Sequence, residues 1–466
     1  MKIFLVGIGG IAMGNLAYML KQLGHEISGS DQNLYPPMSD KLVEWGLSPK
    51  IGFAKENVKA ADLVIIGNAI SRGNPEVEEV LSSGKEYMSM AQAIGHFFLK
   101  GKKPIVIAGT HGKTTTTFLV HHLLTQIGLD PGLFVGGIRA DGHAGFALGK
   151  GEYFVLEGDE YDSAFFDKSS KFLHYRPFYL ILNALDFDHA DIFANLDAIK
   201  VMFKRLLNLV PNTGKVFSWG GSKNLNAILE EYKHAPVDFF ELNQKNSIIR
   251  YEKGIVKIQN KELRPKLIGA HNFRNAEAAL RLCLEIAPSQ KEKLIQAFLS
   301  FPGVKRRQEI LFQNQNSILV EDFAHHPVAI QETIKAHKEA YPKAKIISLF
   351  EPRSATSHRN VFQDDFSKCF KGSDLAMLTE VFQVNKVPAK QRLNVKKLVK
   401  DIAKNTKKEA VYCKDPSDLI DKLTQFLKKY AKDQIVVLAM SNGAFGGIYP
   451  KLKKIVEERA INESSK

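Results

Sequence analysis

Cysteine is scarce in this chain of 466 residues. The three cysteines, Cys283, Cys369 and Cys413, are odd in number and far apart. That excludes a disulfide framework and a CxxC metal pair, and it fits a reducing, cytoplasmic setting. Long apolar runs are missing as well. No segment reaches ~18 uninterrupted apolar residues, so no membrane span is expected. The opening Met1-Lys2-Ile3-Phe4-Leu5-Val6 is cut by Gly7, Gly9 and Gly10, with no small-residue cleavage site behind it. It reads as a first β-strand rather than a signal peptide. There is no zinc-finger spacing, RNP-type pattern, internal repeat or low-complexity tract.

What remains is ordinary globular material, 44% hydrophobic and 24% charged. At about 100–200 residues per domain, the length predicts two to four domains. The formal charge of +14 is unevenly spread. Residues 1–100 carry net −1, residues 101–300 net +4 and residues 301–466 net +11. A basic segment can signal nucleic acid or anionic ligands. Here Lys396, Lys397, Lys400, Lys404, Lys407 and Lys408 read as a solvated helical surface, and no nucleic-acid partner is expected.

Residues 1–100 alternate strand and helix: strands at 2–7, 26–30 and 63–67, and a helix at 12–23 ending at Gly24. Short apolar strands separated by helices predict a doubly wound parallel sheet. A second domain, 101–300, follows Lys100-Gly101-Lys102-Lys103-Pro104. It begins with a buried strand at 105–108 and continues with strands at 153–156 and 179–182. Short strands with a Lys253-Gly254 turn occupy about 215–265, and an Ala- and Leu-rich helix occupies 276–286. The third domain, 301–466, alternates again. Its strands are expected at 317–321, 345–350, 374–379 and 434–440, and its helices near 327–340, 359–371, 415–430 and 449–460. The expected class is α/β: a Rossmann-like first domain, a P-loop ATPase-like parallel sheet in the centre and a Rossmann-like last domain.

Gly109-Thr110-His111-Gly112-Lys113-Thr114-Thr115-Thr116 carries the strongest local signal. It follows a strand and opens a helix. Small residues there let backbone N–H groups surround phosphate oxygens, and the helix N-terminus adds positive potential. Lys113 would offset β/γ-phosphate charge and Thr114 would hold Mg²⁺. The full GxxxxGK[ST] pattern is not met, because Ile107 stands where its first glycine belongs.

Gly7-x-Gly9-x-x-Ala12, with Asp31 closing the second strand, fits the turn that cradles a diphosphate. It points to a diphosphate-like ligand more firmly than to NAD, so an NAD(P)-dependent oxidoreductase stays as an alternative. Two acidic clusters sit just past strands: Glu157-Gly158-Asp159-Glu160-Tyr161-Asp162 and Asn183-Ala184-Leu185-Asp186-Phe187-Asp188-His189-Ala190-Asp191. Acids at strand C-termini in an open α/β sheet face the ligand crevice, and hard carboxylates suit Mg²⁺. Glu157 and His189 are the candidate metal ligands. Further candidates are Gly269-Ala270-His271-Asn272-Phe273-Arg274-Asn275 before the Ala-rich helix, Lys305-Arg306-Arg307-Gln308-Glu309 and Glu321-Asp322-Phe323-Ala324-His325-His326-Pro327.

The order of these pieces resembles the Mur ligase family, the ATP-dependent amide ligases of peptidoglycan metabolism, over nearly the whole chain. The stretches Glu160-Tyr161-Asp162-Ser163-Ala164-Phe165-Phe166, His174-Tyr175-Arg176-Pro177 and Glu351-Pro352-Arg353-Ser354 are similar to the branch that recycles peptidoglycan peptides. That branch joins UDP-N-acetylmuramate to L-alanyl-γ-D-glutamyl-meso-diaminopimelate; a sister branch uses L-alanine and is the alternative. The resemblance implies a cytoplasmic enzyme using ATP and Mg²⁺. It implies that the first domain binds UDP and not NAD, with Gly9, Gly10 and Met13 at the diphosphate, Ser30 and Asp31 near the uridine, and Asn68, Ala69 and Ile70 near the sugar. Gly109, Thr110, Gly112, Lys113, Thr114 and Thr115 would bind ATP phosphates, Asn272 and Asn275 would approach adenine, and Arg307 and Asp322 would come from the last domain to the ATP. His325 is a candidate base for the attacking amine, and Arg353 and Ser354 are candidates for holding the peptide. No lysine matches the carbamylated lysine of some members, and none is claimed. A binding protein with an inactive nucleotide site is the remaining alternative.

Overall fold

The computed structural model describes residues 1–188, 192–354, 356–383, 387–431 and 433–464, with side chains to Arg459. Three main sheets carry the fold. The first is all parallel, in the order Lys50–Ile51, Glu26–Asp31, Lys2–Val6, Leu63–Ile66, Glu86–Ser89. This is the doubly wound arrangement, and its central strands are apolar throughout because helices cover both faces. Phe4, Val6, Val64 and Ile66 pack with Val77 and Val80 of the helix Pro75–Ser83. Asn74 caps that helix by accepting from the Glu76 and Val77 amides, and Gly84 ends it in the left-handed conformation.

The second sheet runs Val237–Phe240, Lys215–Trp219, Tyr179–Leu182, Lys103–Ala108, Tyr153–Gly158, Gly132–Phe134, Phe146–Ala147. Only the last strand pairs antiparallel. The third runs Glu309–Gln313, Ser317–Asp322, Ile435–Met440, Lys345–Phe350, Leu375–Thr379, Glu409–Cys413, parallel apart from its first strand. Both of its faces are covered by buried cores. The α/β expectation, with three parallel-sheet domains, holds.

By compactness the chain divides into two units. One holds residues 1–187, 195–241 and 275–298; the other holds 188–194, 242–274 and 299–466. The second unit includes the antiparallel strands Ile249–Glu252, Ile255–Ile258 and Lys261–Leu263. The first two are joined by Lys253-Gly254, both with positive φ, 46° and 88°, as a two-residue hairpin turn requires.

Several elements differ from the sequence expectations. The Ala-rich helix runs Ala270–Ile286, so His271–Asn275 form its first turns instead of preceding it. The helix expected near 359–371 shrinks to a 3₁₀ turn, Asn360–Phe362, and a short helix, Gln363–Cys369. The strands Glu309–Gln313 and Glu409–Cys413 were not anticipated, and the lysine-rich helical surface belongs to a helix Val395–Thr406. That last helix carries Lys396, Lys397, Lys400 and Lys404 on its exposed side, while Val395, Leu398, Val399 and Ile402 are buried.

Buried histidines make this fold sensitive to acid. His337, in the helix Pro327–Ala340, is 1% exposed and donates through Nδ1 to the Thr333 carbonyl at 2.8 Å. Burial lowers its pKa to about 4. Burial, with His143 and Arg139 nearby, does the same to His121. In the unfolded chain both take up a proton near 6.5, so the unfolded state binds more protons between those values. Stability is therefore full above pH 6.5 and falls as pH drops toward 4, by roughly 3 kcal/mol per histidine at the limit. Urea midpoints measured from pH 7.5 to 4.5 should fall accordingly, and His337→Asn, which keeps a donor for Thr333, should flatten its share of that slope.

Candidate active site

The site of the first unit is built at the C-terminal edge of the second sheet. The strand Lys103–Ala108 ends, four loop residues turn the chain, and the helix Lys113–Gln126 begins. Gly109 has φ 136° and Gly112 φ 80°. A Cβ on Gly109 would meet the Ala184 carbonyl at 2.8 Å, and one on Gly112 would meet Asn275 Oδ1 at 2.6 Å. Both positions therefore need glycine for conformation and for space. The loop is tied to the neighbouring strand end: the Thr110 amide donates to the Ala184 carbonyl (3.0 Å), and Thr110 Oγ1 accepts from the Asp186 amide (2.9 Å). Asn183 Nδ2 donates to Thr116 Oγ1 at 2.9 Å.

Lys113 lies in an acidic nest. Its Nζ is 2.8 Å from the Gly109 carbonyl, 2.8 Å from Glu160 Oε2 and 4.0 Å from Asp159 Oδ1. Burial opposes its charge, but Glu160, Asp159 and Glu157 outweigh burial and raise its pKa, so it stays an ammonium. Asp159 is also 3.6 Å from Lys171 Nζ, which sits 4.0 Å above the Tyr161 ring. Thr114 Oγ1 donates to Glu157 Oε1 at 2.6 Å, and the Gly136 amide donates to Oε2 at 3.1 Å. Burial and the Asp159 charge raise the Glu157 pKa. A half-buried carboxylate of that kind, joined to a hydroxyl at a phosphate-type loop, is chemically suited to a divalent cation. Among the described residues no group of three or more His, Cys, Asp or Glu is placed to hold a metal. Mg²⁺ bound with nucleotide needs only one or two carboxylates, because phosphates and water supply the rest. His189 lies outside the described residues.

The first sheet brings its own loop to its C-terminal edge. The Gly9 amide donates to Asp31 Oδ2 at 2.9 Å, and the amides of Gly7 and Ile8 donate to the Ser30 carbonyl. Gly10 caps the helix Ile11–Gln22 with no side chain, which leaves that helix N-terminus open to an anion. Met13 is buried, Asn68 and Ala69 form an exposed turn, and Ile70 lies against Gly7. Ser30 is buried, and its hydroxyl donates to Glu76 Oε2 at 2.5 Å.

In the second unit Asn272, Gln308 and Asp322 are linked. Asn272 Nδ2 donates to Gln308 Oε1 at 2.9 Å, and the Gln308 amide donates to Asp322 Oδ2 at 2.8 Å. Burial raises the Asp322 pKa, against the opposing charge of Arg307. Arg306 and Gln308 both have positive φ, 60° and 53°, a strained backbone for non-glycine residues. Arg306 pins it: its guanidinium binds Glu321 Oε1 (2.9 Å) and the Gly443 carbonyl (2.5 Å). The adjacent Arg307 guanidinium lies 4.5 Å over the Phe323 ring, whose edge also meets His325, and His325 Nδ1 is 3.0 Å from the Phe323 carbonyl. Arg353 stacks 3.8 Å over Phe382 and is 3.7 Å from Glu351, with Ser354 bound to Ser357 in the turn behind it. Thr356 Oγ1 donates to Asp188 at 2.7 Å.

Of the sequence candidates, Gly109, Thr110, Gly112, Lys113, Thr114, Glu157 and Asn275 are thus gathered in the first unit, with Thr115 buried in the helix they open. Asn272, Arg307, Asp322 and His325 group in the second. Asn183, Glu160, Asp159, Lys171, Gln308 and Arg306 were not singled out individually. All but Lys171 lie within the stretches the sequence marks, Asn183 directly after a strand end in an open sheet.

Three family models match in series: "Mur ligase family, catalytic domain" at residues 2–101, "Mur ligase middle domain" at 107–283, and "Mur ligase, glutamate ligase domain" at 306–443. The chain is 36% identical over 463 residues to the UDP-N-acetylmuramate--L-alanyl-gamma-D-glutamyl-meso-2,6-diaminoheptandioate ligase of Escherichia coli (strain K12), covering 97% of each. It is 34% identical over 392 residues to a UDP-N-acetylmuramate--L-alanine ligase of Clostridium botulinum (strain Langeland), covering 82% of this chain and 83% of that one. The crystal structure of a murein peptide ligase from Psychrobacter arcticus matches with a TM-score of 0.69 at 30% identity, covering 98% of both chains. With domain models in series and relatives above 30% identity along its whole length, the chain belongs to the Mur ligase family.

Proposed function

We propose that this chain is an ATP-dependent ligase that joins the carboxylate of UDP-N-acetylmuramate to the α-amine of L-alanyl-γ-D-glutamyl-meso-diaminopimelate in peptidoglycan recycling. The observation that carries this is the likeness to the Escherichia coli ligase of that substrate pair, which spans 97% of both chains. Alanine ligases are less alike, at 34% identity over 82% of this chain or 30% over 95% of it, so L-alanine is the second reading.

A free carboxylate is a poor acyl donor at neutral pH. Transfer of the ATP γ-phosphoryl group to a carboxylate oxygen gives ADP and an acyl phosphate. The peptide amine then attacks the carbonyl carbon, the C–O bond to phosphate breaks, and the nitrogen loses a proton. In this reading Lys113 and the Gly109–Thr115 loop hold the ATP phosphates and offset their repulsion. Thr114 and Glu157, with His189, are the residues to hold Mg²⁺, which when bound supplies further charge neutralisation at the phosphates. Asn272 and Asn275 serve adenine. Arg307 faces developing negative charge, and Asp322 fixes the loop that bears it. His325 takes or orients the amine proton. Gly9, Gly10, Met13, Ser30, Asp31 and Asn68–Ile70 serve the UDP-sugar; since the Ser30 hydroxyl is committed to Glu76, Ser30 contributes through its backbone. Arg353 and Ser354 serve the peptide's carboxylates.

Phosphate release with Mg-ATP and UDP-N-acetylmuramate is the direct test, comparing the tripeptide with L-alanine as acceptor. The tripeptide should give the higher kcat/KM. A higher value with L-alanine would move the chain to the alanine branch.

A further inference from the structure

The second unit contains a cavity of about 600 Å³ that none of the roles above uses. Its lining includes Glu380, Lys390, Arg392, Lys396, Lys397 and Gln363. Glu380 is the first residue beyond the strand Leu375–Thr379, and Lys396 and Lys397 open the helix Val395–Thr406. The cavity therefore lies on the C-terminal side of the strands, where open α/β sheets take their ligands.

Its walls are held in place. The Leu393 amide donates to the His358 carbonyl at 3.0 Å, and Asn360 Nδ2 to the Lys390 carbonyl at 3.0 Å. Gln363 exchanges two hydrogen bonds with the Asn394 backbone, at 3.2 and 2.9 Å. The 387–394 loop is thus stapled to the segment that follows the Arg353 turn. Glu380 is fixed as well: Oε1 accepts from the Val381 amide and Oε2 from the Tyr412 hydroxyl, each at 3.0 Å.

The charge pattern narrows the ligand. One fixed carboxylate stands among four cationic side chains, of which Lys397 is engaged by Asp401 at 2.6 Å, Arg392 is held through Nε by the Val387 carbonyl, and Lys396 lies 5.3 Å over the Tyr412 ring. A plain cation would meet Lys390, Arg392 and Lys396, and a plain anion would meet Glu380. A zwitterion, ammonium beside carboxylate, satisfies both signs at once. Reach agrees with this. Phe382, whose ring carries Arg353, is two residues from Glu380, and two residues span at most about 7 Å. A tripeptide held at Arg353 is long enough to enter the cavity.

We propose that this cavity is a specificity pocket for the amino-carboxylate end of the peptide's third residue, its ammonium paired with Glu380 and its carboxylate with Arg392 and Lys396. The proposal rests on the tripeptide reading above. It is tested by steady-state kinetics of the full chain with three acceptors. One ends in meso-diaminopimelate, one in L-lysine (ammonium but no distal carboxylate), and one is the L-alanyl-γ-D-glutamate dipeptide. In Glu380→Gln, kcat/KM for both tripeptides should fall at least about tenfold relative to the dipeptide. In Arg392→Ala and Lys396→Ala the preference for diaminopimelate over lysine should collapse by at least about tenfold, with the lysine-to-dipeptide ratio little changed, as expected for loss of one charged contact. Effects equal across all three acceptors, or no effect, would overturn the pocket alone. A wild type that accepts L-alanine and no peptide would overturn the tripeptide reading and the pocket with it.

Discussion

Lys113→Ala should lower ligation by at least about 10³-fold, because no other cation of the described loop lies where the phosphates' charge must be offset. Lys113 Nζ is held between the Gly109 carbonyl and Glu160 at 2.8 Å each. Burial works against its charge, but Glu160, Asp159 and Glu157 keep it protonated across the working pH range. Lys113→Arg should not restore activity, since the planar guanidinium is larger and cannot replace a compact ammonium in this nest. The alanine variant also leaves the buried Glu160 carboxylate without its cation, close to Asp159 and Glu157. A loss of about 3–5 kcal/mol in stability is the usual scale for such a change. The double variant Lys113→Met, Glu160→Gln relieves that repulsion. It should recover much of the thermal stability and none of the phosphate release. Binding of UDP-N-acetylmuramate, measured by calorimetry, should survive in both, because the Gly9 and Gly10 loop is a separate structure on the first sheet. Turnover within tenfold of wild type in Lys113→Ala would remove Lys113 from the proposed role.

How far such a site can be read from sequence depends on how local its interactions are. The Gly109–Thr116 loop was legible because strand, glycines, lysine and helix are contiguous, and the physics of the cradle is contained in eight residues. The doubly wound sheets were legible for the same reason: each strand announces itself as a short apolar run. Glu160 holding Lys113, and Asn183 beside Gly112, depend on strands brought together from 47 and 67 or more residues away. Nothing in the local sequence says which acid of the Glu157–Asp162 cluster reaches the ammonium. Ser30 carries the converse lesson, since its hydroxyl is taken by Glu76, 46 residues on. The positive φ at Arg306 and Gln308 was invisible because it is forced by the contacts of Arg306 to Glu321 and Gly443, not by a glycine. The helix Val395–Thr406 was legible as a surface from its six lysines across 396–408, while its bounds follow from the helical spacing of Val395, Leu398, Val399 and Ile402.

Glu157→Gln should separate charge from shape at the proposed metal position. In the wild type, Oε1 accepts from Thr114 and Oε2 from the Gly136 amide. Glutamine can keep both contacts, its oxygen accepting from Gly136 and its amide donating to Thr114. Removing a half-buried negative charge whose pKa desolvation and Asp159 already raise should leave the thermal midpoint unchanged or higher. Ligation should nonetheless fall about 10²–10⁴-fold, and the Mg²⁺ concentration for half-maximal rate should rise at least about tenfold, because Mg²⁺ favours hard anionic oxygen and the neutral amide is a weaker ligand. The pH profile supplies a second readout. Glu157 serves a cation only when ionised, and its pKa is displaced upward, so activity should decline on the acid side as it takes up a proton. In Glu157→Gln that limb should disappear from the residual rate. Excess Mg²⁺ should recover part of the activity of Glu157→Gln and none of Lys113→Ala, since only the first defect lies in metal affinity. An unchanged Mg²⁺ dependence in Glu157→Gln would mean that Glu157 only orients Thr114 and that the metal carboxylate lies elsewhere.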